Sequence, residues 1–214
     1  MKKHTGLLIL SILALLLFGG SAFFMRNLLF GGIAATYEEA VDNYSEYSEK
    51  WISYDVVACL GPFAEYTETQ YFIPTSHKYY YVCWMEDGAM MPMCVSDKKD
   101  REYLDALTEA TYDYVDGKTE IIEVDPRTFV GTVSATNKDV NMYYNDALKD
   151  LKATESDGVD VKYVLLDCAE DRVHYILLVG AVMLIPILGF VVCFVGIRKD
   201  KKKQENEPET YLPR

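Results

Sequence analysis

Two stretches without a charged side chain bracket this chain, at residues 7–25 (LLILSILALLLFGGSAFFM) and 175–197 (YILLVGAVMLIPILGFVVCFVGI). Each approaches the roughly 20 apolar residues a helix needs to cross the hydrocarbon layer. Backbone groups in lipid must bond internally, so such runs read as spanning helices rather than strands or loops. The pattern predicts transmembrane helices over 7–25 and 174–197. Pro186 in the second is expected to kink it, and Gly180, Gly189 and Gly196 offer small faces for helix contact.

Between the greasy ends the period changes several times. In residues 34–52 (AATYEEAVDNYSEYSEKWI), Tyr37, Val41, Tyr44, Tyr47 and Trp51 recur near helical spacing, which predicts a helix or stalk leaving the membrane. Residues 53–60 read as a strand stopped by Gly61-Pro62, and residues 68–73 as another closed by Pro74. Lys78–Met85 and Ala89–Val95 read as a hairpin, because Tyr79, Tyr80, Tyr81, Val82 and Trp84 favour strands and Glu86-Asp87-Gly88 supplies a turn. One amphipathic helix carries Leu104, Leu107, Thr111 and Tyr114 on a face; a second carries Val140, Tyr144, Ala147 and Leu151. Residues 128–134 and 161–166 complete the strands.

The order β, β, β, β, α, β, α, β indicates an α+β fold: a mainly antiparallel sheet with two or three helices, both amphipathic helices expected on one face. The chain divides into an N-terminus (1–6), a first span (7–25), a juxtamembrane segment (26–52), one central domain (53–170), a second span (174–197) and a tail (198–214). The tail is charged, contains Pro208 and Pro213, and is expected to be disordered.

Charge sets the expected topology. Lys2 and Lys3 precede the first span, and Arg198, Lys199, Lys201, Lys202 and Lys203 follow the second. Short basic flanks stay cytoplasmic, so both termini are expected inside and the central domain outside the cell membrane. A cleavable signal peptide is the alternative for the N-terminus, with Gly20-Ser21-Ala22 or Gly32-Ile33-Ala34 as the cleavage site. Residues 26–172 hold 13 Lys and Arg against 29 Asp and Glu, a net −16. Such a segment is not expected to neutralise nucleic-acid phosphates; cations and basic partners are its electrostatic counterparts. Neither span contains an ionisable residue of the kind that marks an ion pathway.

Chemistry-bearing motifs are few. Four cysteines, Cys59, Cys83, Cys94 and Cys168, fall in predicted strands of the outer domain, and a fifth, Cys193, in the second span. Folding the hairpin about Gly88-Ala89 brings Cys83 opposite Cys94 and leaves Cys59 for Cys168; buried free thiols are the alternative. No Cys-x-x-Cys exists, which argues against zinc. Calcium-loop registers around Gly117 and Gly158 fail, the first because Tyr112 and Tyr114 occupy ligand positions, the second because Val164 stands where the bidentate Glu belongs. No nucleophile elbow, phosphate loop or Cys-His spacing is present, and no cofactor is expected. Asn43-Tyr44-Ser45 matches the glycosylation acceptor pattern.

Aromatic content is the positive feature, with 17 Tyr, 9 Phe and 2 Trp. Strand side chains alternate, so Tyr80 points opposite Tyr79 and Tyr81, toward the face expected to be less buried. Tyr79, Tyr80, Tyr81 and Trp84 are therefore a candidate contact surface, since Tyr combines apolar area with a hydroxyl. Edge-strand propensity or packing at the membrane interface explains the same residues without a partner.

Four segments carry a resemblance: Tyr66-Thr67-Glu68-Thr69; Tyr79-Tyr80-Tyr81-Val82; residues 104–114 (LDALTEATYDY); and Phe129-Val130-Gly131-Thr132-Val133 followed by Tyr143-Tyr144. Over residues 37–170 the chain resembles uncharacterised two-span bacterial membrane proteins built on a domain of unknown function. Its layout is also similar to the beside-a-membrane domains of some organelle ubiquitin ligases, without their zinc-binding RING. The first resemblance implies architecture and no activity. The expectation is a non-enzymatic accessory or assembly subunit that contacts the bilayer and another membrane or envelope protein, or itself. Alternatives are a sensor for a cation or small ligand, and an envelope hydrolase or transferase.

Overall fold

A computed structural model describes residues 2–70, 73–169 and 172–206. It divides into two units, one comprising 1–29 and 172–214, the other Phe30–Asp171.

The first unit holds α1 (Lys2–Phe24), most of α2 (Arg26–Phe30) and α7 (Arg172–Asn206), with α1 and α7 packed along each other. Within α7, Val179–Lys199 has a mean hydropathy of 2.6, and it is the one helix among the described residues long and apolar enough to cross a membrane. Pro186 lies inside it. The tail departs from expectation: α7 continues through Lys199, Lys201, Lys202 and Lys203 to Asn206. Lys, Gln and Glu are good helix formers, and extending an existing helix requires no new nucleus. Residues 207–214 lie outside the described residues.

The second unit begins with β1 (Ile33–Thr36), followed by α3 (Tyr37–Ala40), a 3-10 turn and α4 (Tyr44–Tyr47). The continuous helix expected over 34–52 is thus replaced by a short strand and single turns. Ser and Asn at 43, 45 and 48 compete for the backbone: Ser48 Oγ donates to the Ser45 carbonyl, for example. Then come β2 (Trp51–Val56), β3 (Ala58–Gln70), β4 (Ile73–Trp84), β5 (Met90–Val95), α5 (Lys98–Val115), β6 (Arg127–Ala135), α6 (Lys138–Asp150) and β7 (Val164–Asp167). One mixed sheet results, in the order β1-β2-β6-β7-β5-β4-β3. Two pairings, β1 with β2 and β5 with β7, are parallel.

Gly61-Pro62 bends β3 without ending it. Gly61 takes φ +112°, a conformation open to glycine, and the register with β4 shifts on both sides of the pair. Proline is tolerated because β3 is an edge strand. The bulge turns the Cys59 N–H toward α5, where it donates to Thr111 Oγ1 at 3.1 Å.

The two long helices take opposite faces of the sheet, not the single face expected. Leu104 and Leu107 of α5 join Tyr81, Cys83, Met91, Met93, Phe129 and Leu166 in one large buried cluster. On the other side α6 contributes Tyr144 and Leu148 to a cluster with Val82 and Met90, and Val140 to one with Tyr80, Cys94 and Leu165. Successive strand residues such as Leu165 and Leu166 therefore serve different cores.

This double cover corrects the tyrosine expectation. Tyr80 does point opposite Tyr81, but both are buried, at 8% and 1% exposure. Tyr79 and Trp84 are half-buried, Tyr79 beneath the Arg101 guanidinium at 4.7 Å. The disulfide pairing is corrected as well: Cys59, Cys83, Cys94, Cys168 and Cys193 are all free thiols. The hairpin turn centres on Asp87, whose Oδ1 accepts from the Ala89 N–H, while Met85 N donates to the Ala89 carbonyl. Met91 consequently stands opposite Cys83, and Tyr80 opposite Cys94. Cys83 and Cys94 face different cores, so a Cys83–Cys94 bridge and the Cys59–Cys168 bridge implied with it are not formed. Cys59 instead stands directly across from Cys83.

Candidate functional site

The β3–β4 hairpin outruns the sheet. Residues 79–84 of β4 pair with β5, but among the described residues 73–78 pair with β3 alone, leaving a two-stranded ribbon. On the α6 side of the sheet, beside the base of that ribbon, lies a cleft of about 400 Å³.

Its floor is apolar, made by Ala64, Tyr80, Val140 and Leu165. One wall is β3, which presents the Tyr66 side chain; the facing wall is the first turns of α6 with Asp139 and Tyr143. Alternation on β3 and the helical turn of α6 present two exposed rings here, Tyr66 at 56% and Tyr143 at 50%. Asn137 caps α6, its Oδ1 accepting from the Val140 N–H at 2.9 Å, and so fixes where the helix starts. Asn137 also lines the cleft.

At the inner end Lys78 Nζ stands 3.5 Å from Asp167 Oδ2, the two side chains only 18% and 22% exposed. Asp167 is held in turn: its Oδ1 accepts from the Ala169 N–H at 2.9 Å. Gly131 makes this end possible, because a Cβ there would meet the Asp167 carbonyl oxygen at 2.4 Å and Cys168 Sγ at 2.8 Å. Below the pair sits Cys94, whose thiol burial pushes well above its ordinary pKa, with Asp167 adding to the rise and Lys78 opposing it. A thiol so protonated is a poor nucleophile.

On the opposite face of the ribbon, Glu65 Oε1 lies 3.6 Å from His77 Nδ1, and Thr67 Oγ1 lies 3.1 Å from the same nitrogen. Asp139 enters no hydrogen bond or ion pair among the described residues. The cleft thus carries two carboxylates, Asp139 and Asp167, and one lysine, over an apolar floor and between two rings. Among the described residues no group of three or more His, Cys, Asp or Glu is placed to hold a metal.

Of the candidate contact residues Tyr79, Tyr80, Tyr81 and Trp84, only Tyr80 lines this cleft. Tyr79 and Tyr81 face α5, where Tyr81 Oη donates to Asp105 Oδ1 at 2.7 Å, and Cys59 and Cys83 lie in the same core. Tyr66 and Tyr143 were the better candidates. Tyr143 precedes the core residue Tyr144 and so stands about 100° away on the helix, a signal present in the periodicity. Two shallower hollows lie elsewhere, one of about 580 Å³ near Lys149 and Lys152, the other of about 500 Å³ near Trp84 and Ile121.

Neither a curated protein nor a solved structure matches the chain. Residues 1–198 match a family described as Domain of unknown function (DUF8577), and the chain belongs to that family.

Proposed function

We propose that this chain is a non-enzymatic, membrane-anchored protein that presents its α+β unit, Phe30–Asp171, for contact with another membrane or envelope protein. The β3–β4 ribbon carries the reading: among the described residues it pairs with no strand outside itself, and such a projecting hairpin is suited to meeting a partner. Two spans fit this role. Val179–Lys199 is one; residues 7–25, all but the last within a 23-residue helix whose Leu10, Leu16 and Leu17 are exposed, supply the other. Lys2 and Lys3 before the first span and Arg198, Lys199, Lys201, Lys202 and Lys203 after the second hold both termini in the cytoplasm and the α+β unit outside.

The test is photo-cross-linking in native membranes from positions 67 and 77 on the ribbon, with position 113 on α5 as control. A single stoichiometric adduct from the ribbon alone is the expected result. Adducts from all three positions alike, or from none, overturn the reading. A second reading, a binding module for a cation or small ligand, has the cleft in its favour.

A further inference from the structure

We infer that Cys59, Cys83 and Met93, on the α5 face of β3, β4 and β5, hold one soft monovalent metal ion, copper(I). The site lies apart from the cleft and goes beyond the contact reading, because it needs no partner.

Strand register builds a row of sulfur atoms. Cys59 stands directly across from Cys83, and Cys83 directly across from Met91. Opposed residues of paired strands point to one face, and Met93, two further along β5, points there as well. All four are fully buried in the cluster beneath α5. Cys83 Sγ lies 3.8 Å from Met93 Sδ, and the Cys59 and Cys83 thiols interact directly. Two sulfurs that each bind one ion at about 2.3 Å stand about 3.8–4.0 Å apart, so Cys83 and Met93 already have the spacing of a ligand pair.

Donor chemistry selects the ion. The oxygens around the thiols are engaged elsewhere. Thr111 Oγ1 donates to the Leu107 carbonyl and accepts from the Cys59 N–H, and Thr108 Oγ1 donates to the Leu104 carbonyl. Asp105 Oδ1 accepts from Tyr81 Oη. Thiolate and thioether without imidazole or carboxylate suit copper(I), whereas calcium and magnesium require oxygen ligands. Each coordinating thiol releases its proton to solvent, so affinity rises with pH. Access is short: the next pair along the hairpin, Ala58 and Trp84, lines the hollow of about 500 Å³ near Tyr114 and Ile121.

The experiment keeps the full chain in detergent micelles, anaerobic and with excess glutathione, and titrates copper(I) against the chromogenic chelator bathocuproine disulfonate. One copper(I) per chain is expected, held at least tenfold more tightly than glutathione holds it. Cys59→Ala and Cys83→Ala are each expected to weaken binding at least a hundredfold, and Met93→Leu several-fold. Cys94→Ala combined with Cys193→Ala is expected to leave it unchanged. Unfolding midpoints by Trp fluorescence, matched to the parent, show that each variant is folded. X-ray absorption at the copper edge of the parent depends on no variant and is expected to show sulfur neighbours only.

A nitrogen or oxygen neighbour, full binding by Cys59→Ala or Cys83→Ala, or affinity no greater than that of glutathione overturns the inference. So does a chain taken from membranes without reductant and found with Cys59 joined to Cys83, since a disulfide leaves no thiolate to bind the ion.

Discussion

The two faces of the sheet are covered unequally. Helix α5 has 18 residues and runs about 27 Å, whereas α6 has 13 and runs about 20 Å. Beneath α5 lies one continuous cluster of buried residues that also takes in Tyr37 and Ala40 from the β1–β2 connection. Beneath α6 the buried residues fall into two smaller groups, and the cleft opens over the one nearer the start of the helix. The long cover leaves one face closed by a single core, and the short cover leaves a cleft open on the other. Function is therefore sought at the start of the shorter helix.

The sharpest way to break this comparison is to cut equivalent leucines from both helices. Leu104 and Leu148 are both fully buried. Leu104→Ala is expected to cost about 3–4 kcal/mol, because its neighbours are pinned on every side. Leu148→Ala is expected to cost about 2 kcal/mol, since a smaller cluster at the protein edge can collapse around the gap. Urea unfolding of the full chain in detergent, followed by Trp51 and Trp84 fluorescence, measures both. Equal losses would show that the α6 face is as tightly locked as the other.

Buried thiols give the next test, one on each face. Cys83 lies under α5 and Cys94 under α6. Contact with Cys59 and burial raise the Cys83 thiol above its ordinary pKa of 9.0; burial is the chief cause for Cys94. A thiol raised in the folded state stays protonated while its unfolded counterpart ionises. Its contribution is fully present below pH 9 and is lost as pH rises above 9 toward the folded value. Each is expected to lower stability by up to about 1.4 kcal/mol per pH unit in that range. Cys94→Ala should flatten the alkaline slope by one such share, read from urea midpoints between pH 8.5 and 10.5. Cys83→Ala should flatten it by less, because the hydrogen bond that raises Cys83 also lowers Cys59. A slope unchanged by Cys94→Ala would mean that the α6 face admits water to that thiol.

The same cysteines show where the sequence stops being informative. The hairpin was readable from its Tyr-rich strand and Asp-Gly turn, and α5 and α6 from the spacing of Leu104 and Leu107 and of Val140 and Tyr144. The register was not. Centring the turn on Asp87 instead of Gly88-Ala89 moves the pairing by an odd number of residues, which sends Cys83 and Cys94 to opposite faces. Periodicity identifies the buried face of a helix but carries no sign for which side of a sheet receives it. The double cover, and with it the burial of Tyr80, was out of reach for that reason. The cleft was legible only in fragments, because Tyr66, Lys78, Asp139 and Asp167 come from four separate elements.

The smallest expected difference concerns two tyrosine hydroxyls. On the α5 face Tyr81 Oη donates to Asp105 Oδ1 at 2.7 Å, while on the α6 face the buried Tyr144 hydroxyl has no hydrogen-bond partner among the described residues. Removing a bonded hydroxyl forfeits a hydrogen bond to a charged group, so Tyr81→Phe is expected to cost about 1.5 kcal/mol. Removing an unpaired buried one relieves a desolvation cost, so Tyr144→Phe is expected to be neutral or to stabilise by about 0.5–1 kcal/mol. Phe63 and Tyr163 keep their ring contacts with residue 144 in that variant, which isolates the hydroxyl as the cause. A loss at Tyr144→Phe as large as at Tyr81→Phe would show that the hydroxyl is solvated from the cleft side. The α6 cover would then be looser than its packing implies, and the space available to a partner larger than about 400 Å³.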